Sequence, residues 1–225
     1  MKKSIFLFFI LFSYFNVFAE EFSYKNISKI EMDVLRNDEV IGYSNYSFKH
    51  SGDTTIVENY TKFTVEIFNV KIFSINSKSK EIYQKNKLLS FESSTLQNDK
   101  KKFVKLIYDE NKNKFFINGS SYNGEANIDN VIGNWWNARI LETKTQISPL
   151  SGSIKKQEVK LTNKGEIDYK GKKIKLFQFK LKSTENLPDD KKLDFDIWLN
   201  PNTSIIFKVK YNRLGNWEYR LKNYE

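Results

Sequence analysis

The 225-residue chain has no cysteine, one histidine, three prolines and nine glycines. Without cysteine there can be no disulfide, no thiolate nucleophile and no lipid-modified N-terminus, so the fold rests on its core alone. The single histidine, His50 beside the turn at 51–53, cannot build a histidine metal centre or a specific triad and reads as a surface residue. No phosphate-cradling glycine loop occurs. The carboxylates Asp189 and Asp190 follow a proline in a loop, and Asp194 and Asp196 share one strand face flanked by Lys191 and Lys192. These groups read as solvated charge rather than a calcium site. The expectation is a protein that is not an enzyme and that has no cofactor, metal or catalytic residue.

What is present begins with a leader. Lys2 and Lys3 precede an apolar run from Ile5 to Phe15, and Val17 and Ala19 suit the positions before a cleavage site. Residues 1–19 are expected to be a signal peptide and 20–225 a single antiparallel β domain in the periplasm or outside the cell. The run ends too early, at Asn16 and Glu20, for the about 20 apolar residues of a membrane span. A retained anchor is the alternative; after cleavage no membrane span remains. Removing 19 of 225 residues leaves 206, and losing two lysines takes the formal charge from +10 to +8. Lys and Arg are spread through every segment, which argues against a nucleic-acid partner. The same charge favours weak attraction to anionic lipid head groups.

Along the mature chain apolar residues alternate. Ile30, Met32 and Val34 share one face, as do Phe177, Phe179 and Leu181, and again Leu193, Phe195, Ile197 and Leu199. Polar breaks at 36–39, 51–53, 84–87, 97–100, 110–113, 163–165 and 213–216 combine Asn, Asp, Gly or Lys and read as hairpin turns. The fold class expected is mainly all-β: a strongly curved antiparallel meander of about a dozen strands forming an open barrel or β-roll.

One short helical segment is expected near 128–141, where Ile128, Val131, Ile132 and Trp135 follow helical spacing and Asn127 or Asp129 can cap the start. Gly133 and the asparagines weaken it. This stretch contains GNWWNARIL, with two of the four tryptophans adjacent and Arg139 on the helical face of Trp135. Aromatic residues make up 16% of the chain. Trp135, Trp136, Trp198 and Trp217 either fill the core of the curved sheet or line an apolar cavity, with Arg139 at its mouth to hold a carboxylate or phosphate. These five residues are the candidate ligand-binding set, and the expected partner is a lipid or apolar small molecule.

The order NDEVIGY, EIYQKNKLLSFESST, NWWNARIL, TQISPLSG, KGEIDYKGKKI, DIWLNPN and GNWEYRL resembles a family of exported bacterial proteins described as a domain of unknown function. The resemblance covers essentially the mature chain, with Asn86 where the family has Gly in the middle hairpin. More distantly the arrangement is similar to the periplasmic lipoprotein localisation factors, which implies an unclosed barrel around an apolar cavity and no catalytic residue. Two further readings stand beside a ligand carrier. One is a cell-envelope structural or interaction protein with a filled core. The other is a small outer-membrane barrel, against which Lys208 and Lys210 share a face with Ile206.

Overall fold

The computed structural model describes residues 24–225 except Asn69, Asp190 and Leu214. The expected signal peptide and the Asp190 carboxylate lie outside the described residues. The strands, in chain order, are β1 (Lys29–Arg36), β2 (Glu39–Ser51), β3 (Thr54–Ile67), β4 (Val70–Gln84), β5 (Lys87–Gln97), β6 (Lys100–Asp109), β7 (Lys114–Gly119) and β8 (Asn123–Asn127). They continue as β9 (Val131–Ile132), β10 (Thr145–Ile147), β11 (Ile154–Tyr169), β12 (Lys172–Ser183), β13 (Asp194–Leu199), β14 (Ile206–Asn212) and β15 (Asn216–Tyr224).

All fifteen belong to one sheet in which sequence neighbours pair, from β1 to β8 and from β9 to β15, while β15 closes onto β1. Every ladder is antiparallel except β9 with β10. Among the described residues the unpaired edges are β8 and β9, which are consecutive in the chain. The sheet curls nearly into a ring: Ile117 on β7 and Ile147 on β10 lie near opposite edges, yet both join Met32 of β1 in one buried cluster. The seam is bridged at one point by the Ser121 amide on the Ser151 carbonyl, 2.9 Å apart.

Period-two patterning explains the layers. Ile30, Met32 and Val34 are buried, and so are Leu181, Leu193 and Ile197. Inside are three apolar clusters, one around Val131, Ile140, Leu181, Ile197 and Val209 and two others separated by small hydroxyls. The main cluster holds Tyr46, Phe48, Tyr83, Phe91 and Trp136, and a second holds Val34, Phe63, Val65, Ile75 and Trp217. Between them Ser44 bonds Thr61 and Ser77 bonds Thr95, each at 2.7 Å, so the polar row satisfies itself. The main cluster lies towards the end where β1 begins and β15 finishes, with the Ser28 amide 2.6 Å from the Glu225 carbonyl. The second lies towards the far end, which carries the turn at Asn37–Asp38.

The turns depart from expectation in two places. Residues 163–165 continue β11, because a bulge between Leu161 and Asn163 absorbs the irregularity, and Thr162 Oγ1 donates to the Gln178 carbonyl at 3.1 Å. The true turn is Lys170–Gly171, both at positive φ. The turn between β3 and β4 carries Phe68 at positive φ. The helical expectation for 128–141 narrows to one 3-10 turn, Ala138–Leu141, while Val131–Ile132 become strand.

Candidate functional site

Residues 133–144 leave β9, cross the mouth of the barrel at the terminal end and return as β10. Gly133 is required at the entrance, because a Cβ there would stand 2.0 Å from Gln146 Oε1. Gln146 has little freedom to yield: its Nε2 donates to Gln157 Oε1 at 2.6 Å, and Gln157 Nε2 donates to the Ile140 and Thr143 carbonyls. Asn137 caps the 3-10 turn, its Oδ1 accepting from the Arg139 amide at 3.1 Å. No α-helix propagates because Gly133, Asn134 and Asn137 sit where helix formers would be needed, and the segment's donors find tertiary partners instead. The Trp135 amide donates to Tyr46 Oη at 3.3 Å and the Ala138 amide to Tyr24 Oη at 3.2 Å. Burial pushes both phenols up to about 12.

The anchor of this plug is a carboxylate. Glu81 on β4 is 1% exposed. Its Oε1 accepts from Asn134 Nδ2 at 2.6 Å and from Trp136 Nε1 at 2.9 Å, and its Oε2 accepts from Tyr83 Oη at 2.6 Å. All three donors are neutral, so desolvation outweighs them and raises the carboxyl to about 7. The Tyr83 phenol is driven well above its ordinary range by burial and by Glu81 itself. Sequence reasoning passed over Glu81. The signal was in phase: Glu81 alternates with the exposed lysines 78 and 80 and falls on the face of Ile75, Ser77 and Tyr83.

The expected ligand residues separate. Trp136 is buried edge-on against Tyr24, Phe48 and Tyr83. Trp135, half-buried, packs on Phe195 and Tyr219. Trp217 lies in the far-end cluster, stacked on Tyr211. Trp198 follows buried Ile197 on β13 and is half-buried against the main cluster, with Lys208 Nζ 4.2 Å over its ring. Of the five, Arg139 lines the mouth cavity. Because residues 133–141 are not α-helical, its relation to Trp135 is not that of one helix face.

That cavity, about 340 Å³, lies between the plug and the β4–β5 turn. Leu88, Phe115, Ile128, Val131 and Ile132 line it, with Arg139, Lys85 and Lys87 among its cations. Among the described residues the Arg139 guanidinium has no ion-pair partner. Lys85 lies 3.8 Å from Asp53, and Lys87 covers the Tyr108 ring at 3.5 Å. Asn130, 7% exposed, contributes an Oδ1 without a hydrogen-bond partner. A wider groove of about 550 Å³ crosses β2–β5, bounded by Glu58, Tyr60, Lys78, Lys80 and Glu92. Those side chains alternate with buried Val57, Ser77, Glu81 and Ser93, which puts the groove on the outer face. Its floor is backbone already paired in the ladders, and its acids are paired, Glu58 with Lys49 and Glu92 with Lys105. The mouth cavity is the better candidate.

Among the described residues no group of three or more His, Cys, Asp or Glu is placed to hold a metal. No helix there is long and apolar enough to cross a membrane.

A nearly closed single sheet, with a loop drawn into its mouth by a buried carboxylate, defines a barrel-like protein rather than a sandwich or an α/β fold. The chain belongs to the family described as domain of unknown function DUF6134, which matches residues 32–222. It is similar in fold to a solved structure, the β-barrel-like protein of domain of unknown function DUF1849 from Brucella abortus. The TM-score is 0.61 at 9% identity, over 88% of this chain and 97% of that one. No curated protein matches.

Proposed function

We propose that this is an exported, non-enzymatic barrel that takes the anionic end of an amphiphile, a fatty acid or similar lipid-like molecule, into its mouth cavity. The observation that carries the reading is Arg139, unpaired among the described residues and set beside an apolar floor. A guanidinium there can hold a carboxylate or phosphate through two parallel hydrogen bonds. Asn130, whose buried Oδ1 has no hydrogen-bond partner, also lines the cavity. A volume of about 340 Å³ is at the lower end of the range for small-molecule sites, which favours one short chain over a whole phospholipid.

Native mass spectrometry of the protein released by osmotic shock, before and after organic extraction, tests this. Extra mass that extraction removes, and that Arg139→Ala fails to retain, supports the reading. Retention of protein in spheroplasts counts against export. Bare polypeptide mass with no uptake of added fatty acids turns the assignment to the second reading, an envelope interaction protein. The observation favouring that alternative is Trp136, which fills the barrel axis instead of lining a void.

A further inference from the structure

The far end of the barrel, opposite the mouth cavity, carries an apolar prong. At the β3–β4 hairpin Phe68 is 96% exposed and Val70 62%, with Ile67 and Ile72 also open to solvent. Phe68 has φ 49°, in the left-handed region. Of the ten described non-glycine residues at positive φ it is the only apolar one, the others being Asn, Asp, Lys or Ser. A bulky aromatic there is conformationally costly. Its ring covers almost nothing of the fold in return. The residue therefore serves something outside the barrel.

The surroundings say what that is. The neighbouring β5–β6 turn is stitched to the hairpin: the Ser74 amide donates to Asn98 Oδ1 at 2.7 Å, and the Asn98 amide to the Ser74 carbonyl at 3.2 Å. This fixes Lys100 and Lys101 beside the prong, with Lys62 and Lys71 on its own strands. The acids at this end are Glu66, Asp99, only a 4.0 Å partner for Lys71, and Asp38 and Glu39 at the β1–β2 turn, where Glu39 is paired across the ladder with Arg36. Two such basic ends would repel each other, so a second copy is a poor occupant. An anionic surface with an apolar layer beneath it fits both features.

We propose that this end docks on an anionic phospholipid bilayer, with Ile67, Phe68, Val70 and Ile72 entering the acyl boundary and the lysines resting on head groups. The proposal does not depend on the cavity reading. Because the chain has no cysteine, Phe68→Cys gives a unique site for an environment-sensitive fluorophore, and Lys112→Cys gives a control at the opposite end. With vesicles containing phosphatidylglycerol, the label at 68 is expected to brighten and shift to the blue while the label at 112 stays unchanged. Val70→Ser with Ile72→Ser, in the unlabelled chain, should weaken vesicle partition about tenfold or more, and Arg139→Ala should leave it unchanged. The proposal is overturned by an unresponsive label at 68 or by equal responses at both positions. It is also overturned by equal partition into pure phosphatidylcholine vesicles, or by a concentration-dependent dimer that the serine variant abolishes.

Discussion

Glu81 gives the protein a pH dependence opposite in sign to that of its surface acids. Its carboxyl ionises near 7 in the fold against an ordinary 4.5. Between those values the folded chain holds a proton that the unfolded chain has released, so stability falls as pH rises through that window. The contribution is complete below about 4.5 and lost just above 7. The gap, at about 1.4 kcal/mol per pH unit, amounts to about 3 kcal/mol. Exposed Glu58, Glu125 and Asp189 are held low by lysine partners. Their contributions disappear only as pH falls further, outside the window. Urea unfolding followed by tryptophan emission should therefore show wild type less stable at about pH 8 than at about pH 5, by about 3 kcal/mol. Glu81→Gln should flatten the profile and gain a similar amount at the higher pH. Its amide oxygen can accept from Asn134 and Trp136, and its NH₂ can donate to a rotated Tyr83 hydroxyl. A wild-type profile that is flat or rises across this range refutes the reasoning, as does a Gln variant that keeps the slope.

Other substitutions separate the tryptophans and probe the seam. Trp136→Phe removes the Nε1 bond to Glu81 and leaves a gap, and should cost about 2–3 kcal/mol; Trp198→Phe, at a half-buried ring held by Lys208 rather than by a buried carboxylate, should cost less, about 1 kcal/mol. The two urea midpoints, compared at one pH, decide between them. Gly119→Ala would place a Cβ 2.6 Å from the Ser151 carbonyl. It should cost about 1–3 kcal/mol and speed hydrogen exchange at the Ser121 amide, which bridges the seam.

The fold was legible where alternation and turn chemistry agreed. Ile30, Met32, Val34 and Ile197 face inward as the period requires, and turns at Asn37–Asp38, Asn86 and Asn98–Asp99 use residues that tolerate positive φ. Legibility failed where a local signal had a tertiary competitor. Asn163–Gly165 is turn-like in composition, yet β12 pairs past it across a bulge. The β3–β4 turn was invisible because Phe68 stands in it within a largely apolar run. At the mouth, helical spacing over 128–135 was overridden by pairing of Val131–Ile132 with β10. Arg139, singled out beside the tryptophan pair, lines the mouth cavity, although they do not share a helix face. Glu81 was missed because carboxylates are rarely buried unless paired. Only the three-dimensional convergence of Asn134, Trp136 and Tyr83 shows why this one is.

The pairing of β15 with β1 places the first and last strands side by side, with the Glu225 amide on the Lys29 carbonyl at 3.1 Å, while the β8–β9 connection leaves the sheet's two edges unpaired. Sequence order and spatial order therefore differ by a single cut. A chain beginning at β9, joined through its old termini and ending at β8, would run from one edge of the sheet to the other in order. Its most distant ladder, Ile30 with Tyr224, would become a local hairpin. In the natural order that ladder closes only once the last residues are available, so the barrel must wait for its own end. The reordered chain should fold faster at comparable stability.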